Sequence, residues 1–259
     1  MPHPKLIVFT DLDGTLLDHG TYSHAPADAT LSRLAAKGIP VVLASSKTGA
    51  EIAPLRAEIG MTDVPAIVEN GAGILQPGAD GSGDDSAYRR IRAALDTLPV
   101  DLRSAYQGFG DWGADGIATK TGLSNAAAAL AAQRQFSEPG LWSGTDDARM
   151  VFLEHLKSQG ITAQQGGRFL TLSHGATKAD RMDQILTQFG NPFSIALGDA
   201  PNDLAMLHHA DLGIIVQNPA SPALPHQPGE DSGQIIRTNA PGPAGWAQAM
   251  TAQLDTRIT

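Results

Sequence analysis

The stretch LIVFTDLDGTLLD, residues 6–18, joins a short apolar run to two closely spaced carboxylates. Residues 5–10 predict a buried strand, because the run is short, apolar and partly β-branched and is followed by turn residues. Asp11 and Asp13 come directly after it, where their mutual repulsion would cost stability. Because Asp and Gly are also common in solvated turns, two interpretations are open: an ordinary turn, or a site for a cation or a phosphate group.

The composition limits what kind of protein this is. With 259 residues, of which 42% are hydrophobic, the chain can form one large domain or two modest ones. A balance of 18 basic against 27 acidic residues gives a net charge of −9, which disfavours nucleic-acid binding. The absence of cysteine excludes disulfides, thiolate metal sites and cysteine nucleophiles.

The beginning of the chain, MPHPKLIVFTDLD, has neither a charged region leading into a long apolar segment nor a cleavage site. Apolar runs elsewhere are far shorter than the ~18 residues that cross a bilayer. We therefore expect a cytoplasmic protein with a small-molecule substrate and no membrane or nucleic-acid partner, and its oligomeric state is left open.

Strands and helices alternate along the first third of the chain. The periodicity predicts strands at 5–10, 39–45 and 65–70, separated by helices that end at Gly38 and Gly60. This order predicts an α/β fold of the Rossmann-like, doubly wound type with a parallel sheet. Such sheets bind ligands at the carboxyl ends of their strands, which is where Asp11, Ser45 and Glu69 fall.

A Gly-, Asp- and Ser-rich stretch at residues 76–86 indicates a linker. Beyond it the patterns predict, in chain order, a helix at 88–98, a strand at 102–109, helices at 124–135 and 147–157, and extended segments at 161–167 and 168–173. The doubly wound pattern returns after Gly175, with helices predicted at 178–189 and 243–254 and a strand ending at Val216. We therefore predict a core of residues 1–78 and 175–259, interrupted by an inserted α/β cap domain of residues 79–174.

The second half repeats the theme of the first, because the apolar strand of IALGDAPND ends in Gly198 and is followed by Asp199 and Asp203. If both halves join one sheet, several carboxylates meet at one edge, and a hard divalent cation such as Mg²⁺ resolves their repulsion. A carboxylate in this position can attack phosphorus, and another two residues on can act as acid and base. Ser45 and Lys178 are suited to hold the phosphoryl group.

These motifs together resemble the haloacid dehalogenase superfamily of magnesium-dependent phosphatases. The matching segments are DLDGTLLD, the serine that ends VVLAS, Lys178 and GDAPND. The resemblance implies Asp11 as nucleophile and Asp13 as general acid and base, with Asp11, Asp13 (through its main-chain carbonyl) and Asp199 as metal ligands. It further implies that Asp203 and Asn202 support the metal's water ligands and that Ser45 and Lys178 bind phosphate.

A narrower resemblance is to the mannosyl-3-phosphoglycerate phosphatase branch. It rests on ASSKTGAEI, VENGAGI, GLSNAAAALAAQRQFSEP and GGRF, although Ala179 and Ala200 depart from the usual pattern. Arg binds a carboxylate through two parallel hydrogen bonds, and the implied substrate, mannosyl-3-phosphoglycerate, carries a carboxylate. The expected substrate-binding residues are Lys47, Glu69, Asn70, Arg134 and Arg168.

Each of these assignments has a simpler alternative. Glu69 and Asn70 could form a turn with Gly71, Asn202 could cap a helix, and the arginines of the cap could be ordinary surface residues. For the whole chain, the alternatives are a phosphatase of another sugar phosphate such as glucosyl-3-phosphoglycerate, a phosphosugar mutase, or a sugar-phosphate-binding protein without catalysis.

Overall fold

The computed structural model describes residues 3–257, so the outermost ends of the predicted core, residues 1–2 and 258–259, lie outside the described residues. The strands are β1 (Leu6–Thr10), β2 (Val41–Leu43), β3 (Ala66–Val68), β4 (Gly73–Leu75), β5 (Tyr106–Gly108), β6 (Glu138–Trp142), β7 (Thr162–Gln165), β8 (Leu170–Ser173), β9 (Phe193–Gly198), β10 (Leu212–Gln217) and β11 (Ile235–Pro241). The α-helices are α1 (Asp28–Ala36), α2 (Gly49–Glu58), α3 (Ser86–Asp96), α4 (Val100–Ala105), α5 (Phe109–Thr121), α6 (Asn125–Ala131), α7 (Asp146–Ser158), α8 (Lys178–Gln188), α9 (Leu204–His209) and α10 (Gly242–Arg257). Short 3₁₀ turns cover Ala25–Ala27, Glu69–Gly71 and Pro201–Asp203.

The central sheet is parallel and has the order β11-β10-β9-β1-β2. Val8 of β1 pairs with Val41 on one side and with Ile195 on the other, so the two halves of the chain meet at β1. A parallel bridge between Ala44 and Ile67 places β3 beside β2. The predicted α/β fold with a doubly wound parallel sheet is confirmed.

Alternate residues of β1 face two separate apolar layers, because successive side chains of a strand point to opposite faces. Leu6 and Val8 join a cluster that contains Trp246 of α10, whereas Ile7 and Phe9 pack with residues of α8 and α9. The indole Nε1–H of Trp246 donates to Thr10 Oγ1 at 3.0 Å, so this large buried ring also meets its polar requirement. Both faces of β1 are therefore covered by helices.

A second sheet is antiparallel, has the order β5-β6-β8-β7 and lies in the predicted insert. Helices α3 and α7 pack on it through a buried cluster that includes Ile91 and Phe152. Helices α5 and α6 enclose a smaller apolar cluster with Phe109 and Phe169. The exact limits of core and cap, residues 79 and 174, stay a prediction.

Several predicted elements differ from the structure. Residues 102–105 of the predicted strand 102–109 belong to α4, and only Tyr106–Gly108 are extended. The predicted helix at 124–135 ends at Ala131, and Arg134 lies in a loop. The patterns missed α5, whose Gly110, Gly113 and Gly116 have low helix propensity, and they also missed β4, β6 and β11. No helix among residues 3–257 is long and apolar enough to cross a membrane.

Arg56 holds the segment that leads into the insert. Its side chain is 2% exposed, although it belongs to a helix of the core. Nη1 donates to the carbonyls of Val64 and Gln76 at 3.0 and 2.9 Å, and Nη2 donates to the carbonyl of Ala79 at 2.7 Å. One guanidinium thus donates to three carbonyl groups around the start of the linker, which lie outside the regular pairing of a helix or sheet.

Replacing this guanidinium tests its contribution to stability. We expect Arg56→Met to lower the free energy of unfolding by about 2–4 kcal/mol, because the apolar volume is kept while buried carbonyls lose their donors. Urea denaturation followed by circular dichroism measures the change. Arg89→Met is the control, since Arg89 is exposed and pairs only at the surface with Asp85, and it should change stability by less than about 0.5 kcal/mol. Equal effects of the two variants would contradict the role of Arg56.

Candidate active site

Asp11 and Lys178 form a buried ion pair at the carboxyl end of β1. The Lys178 side chain is 1% exposed, and its Nζ donates to Asp11 Oδ1 at 2.7 Å. A capping box of Thr177 and Asp180 fixes the start of α8 and thereby the position of Lys178, its first residue. Burial raises the pKa of Asp11 well above its ordinary value, while the ammonium of Lys178 acts in the opposite direction.

Asp203 completes a three-residue bridge around the same ammonium. Its Oδ1 accepts from Lys178 Nζ at 2.7 Å, and its Oδ2 accepts from the backbone N–H groups of Asp199 and Ala200 at 3.1 Å each. Burial alone would lower the pKa of Lys178, but Asp11 and Asp203 raise it above its ordinary value. Lys178 therefore stays charged, and Asp203 ties it to the loop after β9.

Asp199 is held by two side chains that orient its carboxylate. Thr15 Oγ1 donates to Asp199 Oδ1 at 2.6 Å, and Asn218 Nδ2 donates to Asp199 Oδ2 at 2.8 Å. Burial raises the pKa of Asp199, and these two hydrogen bonds oppose that rise. Gly14 has a φ of +84°, and a Cβ there would lie 2.3 Å from Asn218 Nδ2, so glycine is required beside this contact.

Asp13 points to a different partner from Asp11. Its Oδ2 lies 2.8 Å from Lys47 Nζ, whereas its Oδ1 is buried without a hydrogen-bond partner. Burial alone would lower the pKa of Lys47, but the charge of Asp13 raises it. The two carboxylates of the DLDGT segment thus have separate cationic neighbours, and this separation allows them different chemical roles.

The site carries an excess of negative charge that a cation would neutralise. Carboxylate oxygens of Asp11, Asp199 and Asp203 lie within 4.8 Å of one another, and Lys178 supplies one positive charge to this group. Asp13, which the sequence predicts to supply its main-chain carbonyl to the metal, does not contribute a carboxylate oxygen to this group. All of these donors are hard oxygen atoms, which suit a divalent cation that prefers oxygen ligands. The residues present therefore fit a metal site.

Ser45, Asn70 and Asn202 lie around this group. Ser45 is buried beyond the end of β2, where its Oγ accepts from the backbone N–H of Lys47 at 3.2 Å. Its carbonyl accepts from Asn70 N at 2.8 Å, and Asn70 Oδ1 accepts from Asn202 Nδ2 at 3.1 Å. The predicted residues of three strand ends are thus joined to one another by hydrogen bonds.

Comparison with models of protein families identifies the family of this chain. The model for haloacid dehalogenase-like hydrolases matches residues 8–86 and 145–226, which together are more than half of the chain. The chain belongs to the haloacid dehalogenase-like hydrolase family. The unmatched residues 87–144 contain nearly all of α3 and the whole of α4, β5, α5, α6 and β6, so the haloacid dehalogenase-like match covers only part of the insert.

Solved structures share this fold over nearly the whole chain. A phosphatase of the haloalkanoate superfamily from Bacteroides thetaiotaomicron is 18% identical, with a TM-score of 0.66 over 96% of this chain and 95% of its own. The sucrose-phosphatase of Synechocystis, solved with sucrose and phosphate, is 14% identical, with a TM-score of 0.62 over 97% of this chain and 98% of its own. A Geobacillus kaustophilus protein is 17% identical, with a TM-score of 0.68 over 98% and 100% of the two chains. Likeness at these identities shows the fold alone.

In this haloacid dehalogenase-like hydrolase, Glu69 and Arg134 join the insert to the core. Glu69 is buried, and its carboxylate accepts from the backbone N–H groups of Gln135 and Phe136 at 2.8 and 3.1 Å and from Ser137 Oγ at 2.8 Å. Arg134 Nε lies 3.3 Å from Glu69 Oε2, and its Nη1 donates to the carbonyl of Ser46 at 3.3 Å. Both predicted substrate residues therefore have structural contacts between the two sheets.

A cavity of about 370 Å³ lies between the central sheet and the insert. This volume is typical of a small-molecule site. Of the residues predicted to bind substrate, Lys47, Asn70, Arg134 and Arg168 line it, but Glu69 does not belong to its lining among residues 3–257. Arg168 is exposed, and its Nη1 donates to the carbonyl of Lys120 at 2.7 Å. The cavity thus brings Lys47 of the core together with Arg134 and Arg168 of the predicted insert. Among residues 3–257, its lining does not include Asp11, Asp13, Asp199 or Lys178, and Lys47 connects it to Asp13.

Three residues of the site were not assigned from the sequence. Thr15 and Asn218 hold Asp199, and Tyr22 lines the cavity. Asn218 directly follows β10, so the rule that ligand residues sit at the carboxyl ends of parallel strands could have found it. Tyr22 lies in a polar loop without periodicity, and no sequence signal indicates where its ring points.

Removing the buried ammonium tests the charge balance of the site. We expect Lys178→Met to lower the free energy of unfolding by about 3–5 kcal/mol at pH 7 in EDTA, because Asp11 and Asp203 lose their cation. Urea denaturation measures the loss. Added Mg²⁺ should restore more stability in this variant than in the unmodified protein, since a second cation then takes up the same negative charge.

Lys157→Met serves as the matched control, because Lys157 is exposed on α7. Its stability should change by less than about 0.5 kcal/mol and should show no added response to Mg²⁺. A loss for Lys178→Met as small as that of the control would mean that the carboxylates do not need this ammonium.

Proposed function

We propose that this chain is a magnesium-dependent phosphatase that hydrolyses a phosphate monoester through an aspartyl-phosphate on Asp11. The observation that carries the proposal is the buried group of Asp11, Lys178, Asp203 and Asp199. Asn202, the chain neighbour of Asp203, and Lys47, the partner of Asp13, line a cavity large enough for a small molecule. A binding protein would need the cations of this site, but it would have no use for a second carboxylate with its own partner. A cytoplasmic location, favoured by the cysteine-free sequence, remains a prediction.

The reaction has two steps that use the two carboxylates of the DLDGT segment. In the first, an oxygen of Asp11 attacks phosphorus, the bond from phosphorus to the leaving oxygen breaks, and Asp13 gives that oxygen a proton. In the second, Asp13 takes a proton from a water molecule that attacks phosphorus, and the bond to Asp11 breaks. The products are the alcohol and inorganic phosphate, and both carboxylates return to their initial states.

Ser45 and Lys178 stabilise the phosphoryl group during both steps. The buried hydroxyl of Ser45 and the charged Nζ of Lys178 would donate to its oxygens, where negative charge is largest. Asp11, Asp199 and the main-chain carbonyl of Asp13 would hold Mg²⁺, with Asp203 and Asn202 supporting its water ligands. The metal would supply charge neutralisation between the phosphate and Asp11. Asp203, whose oxygens already accept three hydrogen bonds, suits this supporting role.

The chemistry of the cavity favours a substrate with anionic and hydroxyl groups. Lys47, Arg134 and Arg168 supply cations, and Asn70 and Gln164 supply amide groups. We propose mannosyl-3-phosphoglycerate as the substrate, with glucosyl-3-phosphoglycerate or a similar sugar phosphate as the alternative. Arg168 is the best candidate to bind the carboxylate, because Arg134 is already engaged by Glu69 and by the core.

Phosphate release from mannosyl-3-phosphoglycerate tests the reaction and the substrate together. We expect turnover in Mg²⁺, no turnover in EDTA, and a loss of at least about 10³-fold for Asp11→Asn, because the amide cannot form the acyl phosphate. Simple sugar phosphates serve as comparison substrates. Retained turnover in Asp11→Asn, with an unchanged circular dichroism spectrum, would contradict the assignment of the nucleophile. Turnover on the comparison substrates alone would keep the chemistry and reject the substrate.

A substrate whose leaving group needs no proton distinguishes the role of Asp13 as acid in the first step from its role as base in the second. With 4-nitrophenyl phosphate, we expect Asp13→Asn to release one equivalent of nitrophenolate in a rapid burst and then to turn over about 10²–10⁴-fold more slowly than the unmodified enzyme. The first step needs no acid for this leaving group, whereas the second step still needs the base. Stopped-flow absorbance measures the burst. A slow first turnover without a burst would show that Asp13 acts before the acyl phosphate forms.

A further inference from the structure

Residues 18–23 form a loop that is closed by its own hydrogen bonds. Asp18 Oδ1 accepts from the backbone N–H groups of Gly20 and Thr21 at 3.1 and 2.8 Å and from Thr21 Oγ1 at 2.8 Å. Asp18 N donates to the carbonyl of Ser23 at 3.0 Å, and Tyr22 N donates to the carbonyl of Asp18 at 2.9 Å. This network gives the loop one defined conformation although it has no regular secondary structure.

The conformation of this loop is unfavourable for Tyr22 in two respects, its backbone angle and the exposure of its ring. Its φ is +56°, a left-handed backbone region that a bulky aromatic residue rarely adopts. Its side chain is also 54% exposed, so most of the apolar ring gains little from burial. A strained residue that is held by surrounding structure is a reason to look for a function.

The surroundings of the ring indicate that function. Tyr22 lines the cavity from the side of the central sheet, and Phe109 and Phe169 line it from the insert. Lys47 Nζ lies 5.4 Å from the centre of the Tyr22 ring and 2.8 Å from Asp13 Oδ2. Lys47 therefore contacts both the Tyr22 ring and Asp13, the proposed acid and base.

We propose that Tyr22 determines specificity by packing its ring against a ring in the leaving group of the phosphate ester, opposite the aromatic side chains of the insert. The proposal rests on the function proposed above and narrows the substrate class to esters whose leaving group carries a sugar ring. An aromatic side chain suits this contact because it offers a large apolar face with few rotatable bonds. When the ligand covers the ring, burial of its apolar surface offsets the cost of its exposure in the free protein.

A different role would place Tyr22 over Lys47 only to keep the pair of Lys47 and Asp13 in position. The two roles predict different dependences on the ligand. A contact with the leaving group matters only for ligands that carry a ring, whereas positioning of Lys47 affects every phosphate ester equally.

Binding to the Asp11→Asn protein in Mg²⁺, measured by isothermal titration calorimetry, separates these roles without turnover. The probes are mannosyl-3-phosphoglycerate and 3-phosphoglycerate, which differ by the sugar ring. Adding Tyr22→Asn removes the aromatic ring but keeps a residue type that tolerates positive φ. We expect the dissociation constant to rise about tenfold for the glycosylated ester and less than about twofold for 3-phosphoglycerate. Tyr22→Phe, which keeps the ring, should stay within about threefold of Tyr22 for both.

Equal losses for the two esters would overturn the proposal in favour of a positioning role, and unchanged binding of both would overturn it outright. Failure of Asp11→Asn to bind the glycosylated ester would overturn it as well. A failure of the proposed function looks different: the unmodified protein would release no phosphate from an ester that Asp11→Asn binds. The two ideas can therefore fail independently.

Discussion

The buried ammonium of Lys178 connects the parts of the site that the chain supplies from distant positions. It bonds Asp11 after β1 and Asp203 before α9, and Asp203 in turn accepts the N–H groups of the loop after β9. Each of these carboxylates would be costly to bury without a partner. The position of α8 against the carboxyl edge of the sheet therefore depends on charge pairing as well as on apolar packing. The carboxylates of Asp11, Asp199 and Asp203 fit a metal ion.

A buried carboxylate with several hydrogen bonds also forms the contact between the insert and the core. Glu69, at the end of β3, accepts three hydrogen bonds from residues 135–137 and pairs with Arg134. The backbone around it is unusual, because Glu69 and Asn70 have φ values of +50° and +60° and a Cβ on Gly71 would lie 2.1 Å from Thr177. This turn closes the cavity on one side and leaves the amide of Asn70 facing it. Of these two adjacent residues, Glu69 makes the domain contact and Asn70 lines the cavity.

Much of the core could be predicted because its signals are local. The apolar strands, the turn glycines and the carboxylates after strand ends indicate a parallel sheet with one functional edge, and the structure has that sheet. The insert was harder to predict from the sequence. Because α5 is glycine-rich and β6 contains Pro139 and Gly140, neither shows a regular hydrophobic pattern. Their conformations are set by partners far along the chain, such as the antiparallel pairing of Glu138 with Leu172. Residues 102–105, predicted as the start of a strand, belong to α4 instead.

From the sequence alone, the fold class and the candidate carboxylates Asp11, Asp13, Asp199 and Asp203 could be predicted, because periodicity and strand-end position are properties of short segments. Only the tertiary structure decided which charges meet: Lys178 with Asp11 and Asp203, Lys47 with Asp13, and Arg134 with Glu69. It also placed Tyr22 and Asn218 at the site. These pairings depend on distances between segments that are far apart in the chain, and such distances follow from packing, which no local pattern encodes.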